Sequence, residues 1–172
     1  MNLEQLLDTV PAYAKDLKLN LSNLLQQPEL SKQQIWGTAV TSAITARNPR
    51  LLAAITKAAA GQLKPEALAA AAAIMGMNNV FYRFQHLAEN KKYGTIPARL
   101  RMNAIRSLGI EPVDFELSCI AASAITGCGV CIDSHEKVVR EKGAGEDVIL
   151  ACVRIAPAIY RLATVLDAEF NV

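Results

Sequence analysis

The densest set of reactive side chains in the sequence is Cys128-Gly-Val-Cys131, followed after three intervening residues by His135 and preceded, with eleven residues between, by Glu116. Gly127 is placed to end one helix, and the spacing predicts a new one from about Gly129 to Lys142 with the cysteines on its first turn. Positions i and i+3 of a helix share a face, with α-carbons roughly 5 Å apart, inside the disulfide-forming window. The free amides and the dipole at a helix start favour a thiolate there. His135 lies one turn beyond Cys131 on the same face, where an imidazole can accept or relay the thiol proton. Glu116 falls on the preceding helix, with Cys119, Ile120 and Ser123 on its side. Antiparallel packing of the two helices across Gly127 would bring the carboxylate to the cysteines. An apolar, alanine-rich setting suits it as a proton acceptor.

Several chemistries use closely spaced cysteines. A c-type haem site needs histidine directly after the second cysteine, where this chain has Ile132. A thioredoxin-like site needs a strand-rich βαβ context, which the sequence lacks. Structural zinc would need a fourth ligand beyond Cys128, Cys131 and His135, and no second Cys-x-x-Cys exists; Glu116 or water in that place keeps zinc open. Two unreactive core cysteines are a further reading. Redox chemistry is the reading that uses all four residues. Elsewhere, Cys119 and Cys152 sit in apolar stretches and read as small core hydrophobes. His86 reads as a structural or surface residue, Arg47 and Arg50 as a solvated helix face, and Trp36 as core or interface.

The elements that must hold these groups are helical throughout. Ser31-Lys32-Gln33-Gln34 is a capping box, with Leu30 and Ile35 as its hydrophobic staple. Asn48-Pro49 offers an N-cap and a first-turn proline, and Pro11, Pro65, Pro97 and Pro112 look similar. Gly61, Gly109, Gly127 and Gly143 follow apolar-periodic stretches, as helix-ending glycines do. No run alternates apolar and polar residues, and no hairpin dipeptide occurs. Pro157 lies inside the last helical stretch and is expected to kink or split it. The fold class is therefore all-α: a single-domain helical bundle of about seven to eight helices spanning residues 1–172.

An internal duplication is also legible. Thr41-Ser42-Ala43-Ile44-Thr45 recurs as Ala122-Ser123-Ala124-Ile125-Thr126, and Val80 to Arg83 loosely echoes Ala158 to Arg161. The repeat halves cover roughly residues 30–90 and 111–170. At an offset of 81 positions, Glu116 aligns with Ile35, Cys128 with Arg47, Cys131 with Arg50 and His135 with Ala54. One half would keep the scaffold and the other carry the reactive groups.

Composition bounds the setting. Hydrophobic residues make up 52% and charged residues 20% of 172, enough for one globular core. The net charge of +2 gives no electrostatic reason to expect nucleic acid or an anionic membrane. Residues Met1 to Asp8 show no secretory pattern. The apolar run from Ala67 to Met77 is too short to cross a bilayer, and that from Val148 to Leu166 is broken by Arg154 and Arg161. These features read as a soluble cytoplasmic protein, and in a reducing compartment a close cysteine pair is more often redox-active or metal-binding than a structural staple.

At Glu116, Cys128, Cys131 and His135 the pattern resembles the alkyl hydroperoxide reductase D family, within the carboxymuconolactone decarboxylase-like superfamily. The resemblance implies a lipoyl-dependent peroxidase with no bound cofactor. Electrons would pass from dihydrolipoamide, carried on a lipoylated protein, to alkyl hydroperoxides and to a partner peroxiredoxin, the C component. It implies a homotrimer. It also assigns Cys131 as the thiol that attacks peroxide, Cys128 as proton donor and resolving thiol, and Glu116 and His135 as base and relay. The family often carries histidine between the cysteines, where this chain has Val130, which bears on rate more than on reaction type. A carboxymuconolactone decarboxylase-like enzyme and a non-enzymatic redox- or zinc-responsive binding protein remain as alternatives. The decarboxylase chemistry does not need a Cys-x-x-Cys pair.

Overall fold

The computed structural model describes residues 1–61, 63, 65–103 and 109–168. Among them are eight α-helices and no strand: α1 (Leu3–Asp8), α2 (Lys15–Leu24), α3 (Lys32–Ala46), α4 (Pro49–Ala58), α5 (Pro65–Leu87), α6 (Pro112–Thr126), α7 (Gly129–Glu141) and α8 (Glu146–Ala168). Short 3₁₀ turns occupy Ala12–Ala14 and Lys91–Thr95. Local chemistry sets the boundaries. Ser31 caps α3 through a reciprocal capping box with Gln34, and Leu30 and Ile35 are both buried beside it. Asn48 caps α4 with Pro49 following, and its Nδ2 also donates to Asp167 of α8 at 2.6 Å. Gly61, Gly109, Gly127 and Gly143 all take left-handed conformations. The stretch that Gly109 would terminate lies outside the described residues.

Three helices, α3, α6 and α8, pack on one another at the centre. Helix α5 lies against α3 and α6, α7 against α6 and α5, and α2 against α8. Gly37 to Ala43 of α3 and Leu117 to Ser123 of α6 are buried at every position. A helix covered all round has no amphipathic stripe to read, and its small residues let the neighbours approach on every side. Helix α8 contributes Ile155, Ile159 and Leu162, each fully buried. It is long and apolar enough to cross a membrane by composition alone. Its apolar face is instead turned into the bundle.

Two sequence expectations need correction. Pro157 does not split α8, which runs unbroken through it. Pro157 and Arg154 both face solvent, while Ile155, Ala156, Ala158 and Ile159 stay buried, so packing of the inner face carries the helix past one lost hydrogen bond. Pro97 does not open a helix, because residues 96–102 are irregular.

Helices α3 and α6 share a layout, but at a register other than the one that the matching pentapeptides indicate. Helices α3 and α6 both have 15 residues. Their left-handed caps are Arg47 and Gly127, and the next N-caps are Asn48 and Cys128. These pairs, and the two buried runs, stand 80 positions apart. Glu116 therefore corresponds to Trp36, Cys128 to Asn48, Cys131 to Leu51 and His135 to Ile55. The pentapeptides match one residue out of phase because alanine-rich helices resemble each other at many registers, whereas caps and burial fix one.

Candidate active site

The turn at Gly127 builds the site. Gly127 adopts φ 73° and ψ 36°, a conformation open to glycine at little cost. The Cys128 amide donates back to the Ser123 carbonyl at 3.1 Å, closing the end of α6. The Cys128 carbonyl accepts from the Ile132 amide at 3.0 Å, opening α7. One residue thus terminates one helix and caps the next. Its position is held by the backbone hydrogen bonds of both.

Helix α5 clamps this turn from the side. Asn79, fully buried, donates from Nδ2 to Thr126 Oγ1 at 2.8 Å and accepts from Ser123 Oγ at 3.1 Å. The Arg83 guanidinium donates to the Thr126 carbonyl. A cation on the last carbonyl of a helix is favourable with its dipole. Sequence reasoning passed over Asn79 and Arg83. The available signal was a pair of asparagines, Asn78-Asn79, at the end of an otherwise apolar helical run, since buried amides need partners.

Cys128 and Cys131 are joined as a disulfide with α-carbons 5.3 Å apart. Their environments differ. Cys128 is wholly buried beneath the turn, while Cys131 keeps 6% of its surface. Cys131 opens onto a cleft of about 400 Å³ between α5 and α7. Met75, Tyr82, Met102 and Val130 give this cleft an apolar lining, and Ser134 and His135 share it. His135 Nδ1 lies 2.6 Å from Glu116 Oε2, both side chains being mostly covered. The carboxylate therefore meets the imidazole, and the imidazole lines the cleft beside Cys131. The hydrogen bond fixes the ring and leaves its Nε2 as the nitrogen available to a ligand.

The remaining thiols are placed otherwise. Cys119 is buried, and desolvation, aided by the Glu116 carboxylate, raises its pKa well above the ordinary thiol value. Burial pushes Cys152 from 9.0 up to about 12, against a 3.1 Å contact with Thr38 Oγ1. Both are inert thiols at neutral pH. His86 and Arg47 are exposed. Arg50 is half-buried, and Trp36 packs at the margin of the main core. Among the described residues no three His, Cys, Asp or Glu side chains gather in a metal-binding group.

A family model described as the carboxymuconolactone decarboxylase family matches residues 91–168, which include all four site residues. An alkyl hydroperoxide reductase AhpD from Solibacter usitatus is 58% identical, over 98% of this chain and 97% of its own length. The chain belongs to the AhpD family. Further AhpD relatives come from Acidobacterium capsulatum, 58% identical over 98% of this chain and 94% of that protein, and Koribacter versatilis, 57% identical over 98% and 89%. Within this AhpD chain, the second helical repeat holds the cysteines, the imidazole and the carboxylate. The first repeat puts Asn48, Leu51, Ile55 and Trp36 in their places and contributes α5 as one wall of the cleft.

Proposed function

We propose that this protein is a thiol-dependent alkyl hydroperoxide reductase with an antioxidant role, working through Cys131 and Cys128. The observation that carries the reading is the placement of Cys131. It lies at the start of α7, open to an apolar cleft that His135 also lines, with Cys128 bonded behind it. The AhpD relatives are named for the same activity.

In the reduced protein, His135, held by Glu116, takes the proton of Cys131. The thiolate attacks the terminal oxygen of the hydroperoxide. A sulfur–oxygen bond forms, the oxygen–oxygen bond breaks, and the alkoxide leaves with the proton from His135 as an alcohol. Cys131 becomes a sulfenic acid. Cys128 then attacks this sulfur, water leaves, and the disulfide forms. An external dithiol restores both thiols by exchange. Cys128 is covered, so exchange begins at the Cys131 sulfur. The reductant we propose is dihydrolipoamide on a lipoylated protein, and electrons can also pass to a partner peroxiredoxin. No bound cofactor or metal enters these steps.

We place the enzyme in the cytoplasm, where a dithiol pool can keep the pair cycling. We also propose a homotrimer. Helix α5 leaves Ala69, Ala73, Gly76, Val80, Phe84 and Leu87 exposed at spacings of three or four residues. Such a stripe is the seam of a helix-to-helix contact. The deciding experiment is a turnover assay with dihydrolipoamide and an alkyl hydroperoxide, run with and without a peroxiredoxin. Consumption of peroxide that depends on both thiols is expected. No consumption, together with stoichiometric zinc in the purified protein, would instead establish the metal-binding alternative.

A further inference from the structure

The cleft beside Cys131 contains a polar side chain that the steps above leave unused. Asn78 lies on α5 between Met75 and Tyr82 and is only 7% exposed. Its Nδ2 donates to Met102 Sδ at 3.1 Å. A thioether can only accept, so this contact fixes which end of the amide is the nitrogen. Oδ1 is left buried with no hydrogen-bond partner. The adjacent Asn79 spends both ends of its amide on Thr126 and Ser123. Buried carbonyls are almost always paired, and one without a donor at the wall of a cleft points to a donor arriving with a ligand.

The cleft restricts what that ligand is. Met75, Tyr82, Met102 and Val130 suit an apolar substituent, and the reacting sulfur sits among them. An organic hydroperoxide has such a substituent and a single donor, the O–H on its terminal oxygen. That oxygen is the one a thiolate must attack. We infer that Asn78 accepts this hydrogen bond and holds the terminal oxygen against Cys131, which makes it the residue that orients an apolar hydroperoxide in the cleft. The hydroperoxide proton that Asn78 holds in this hydrogen bond stays on the terminal oxygen throughout. The oxygen–sulfur bond forms, the oxygen–oxygen bond breaks, the alkoxide takes its proton from His135, and Asn78 ends by holding the sulfenic O–H.

This role rests on the peroxidase reading, and one set of measurements separates the two. The pre-reduced wild type and Asn78→Leu and Asn78→Ala proteins would be mixed with cumene hydroperoxide and the loss of thiol followed. Reduction of each disulfide form by dithiothreitol and each thermal midpoint would be measured alongside. We expect both variants to react about 10- to 100-fold more slowly with the hydroperoxide, the range of one lost hydrogen bond in a transition state. Disulfide reduction should stay within about twofold of wild type, and Asn78→Leu should melt no lower, because an apolar isostere removes an unpartnered carbonyl. Equal peroxide rates in wild type and both variants would overturn the role of Asn78 and leave the peroxidase standing. Equal slowing of both reactions, or a lowered melting point in Asn78→Leu, would make Asn78 a structural residue only. If Asn78→Leu fails to fold, Asn78→Ala decides. An inert wild type overturns both readings.

Discussion

The difference between Cys128 and Cys131 is one of cover: two sulfurs joined to each other, one sealed under a turn and one facing a cleft. That difference gives the roles a direct test. Cys128→Ser should form a sulfenic acid with one equivalent of peroxide and then stall, and a sulfenic-acid trap should label it. Cys131→Ser should not be labelled, since serine is a poor nucleophile without strong activation. Labelling in the opposite variant would exchange the two roles. Glu116→Gln and His135→Ala should each slow the first step by about 10²–10⁴-fold, with far-ultraviolet circular dichroism unchanged. The buried thiols yield a second test. Because folding raises the Cys152 pKa from 9.0 to about 12, the folded chain keeps a proton that the unfolded chain loses. Its stabilising contribution is complete below about pH 9 and is lost as pH rises toward 12. Urea titrations should show wild type losing stability over that alkaline range more steeply than Cys152→Ala. Parallel pH profiles would contradict the assignment.

At the scale of elements, the two repeats solve the same turn with different residues. Gly127 and Arg47 both adopt left-handed conformations, with φ of 73° and 62°. A side chain costs about 1 kcal/mol or more in that region, and Arg47 is exposed, with no packing that requires a long side chain there. Arg47→Gly should therefore stabilise the protein by up to about 1 kcal/mol, leaving the peroxide reaction as it is. Gly127→Ala should destabilise by about 1 kcal/mol, and by moving Cys128 it should also slow formation of the disulfide. Denaturant melts of the pair are expected to shift in opposite directions; a shift in the same direction would show that the two turns are not equivalent.

For the whole molecule, α5 presents two different faces. Its inner residues Met75, Asn78 and Asn79 face the site, and its outer stripe through Gly76 and Val80 is left uncovered. A trimer built on that stripe should survive dilution to micromolar concentration. Val80→Glu should dissociate it, because a charge in the seam has no partner there. Light scattering checks both, and a monomeric wild type would remove the stripe from consideration as an interface.

The helical class, most of the caps and the four residues of the candidate site are legible along the chain. Each of these is local: Ser31 with Gln34, Asn48 with Pro49, Gly127 ending α6, and the cysteines one turn apart with His135 one turn further along. A reading along the chain sees such relations because they lie within a turn or two of helix. It could not see that α3 and α6 are buried all round, since a helix without a polar face shows no period. For the same reason it set the repeat one residue out of phase, where caps and burial agree on another register. Local preference has Pro157 kink or split α8, and packing on the inner face carries the helix through it unsplit. The meeting of Glu116 with His135, the clamp of Asn79 and Arg83 on the Gly127 turn, the covering of Cys128 and the unpartnered carbonyl of Asn78 all join helices far apart in sequence. Tertiary structure alone decided them, because only the packing of α5, α6 and α7 sets which side chains face one another across the cleft.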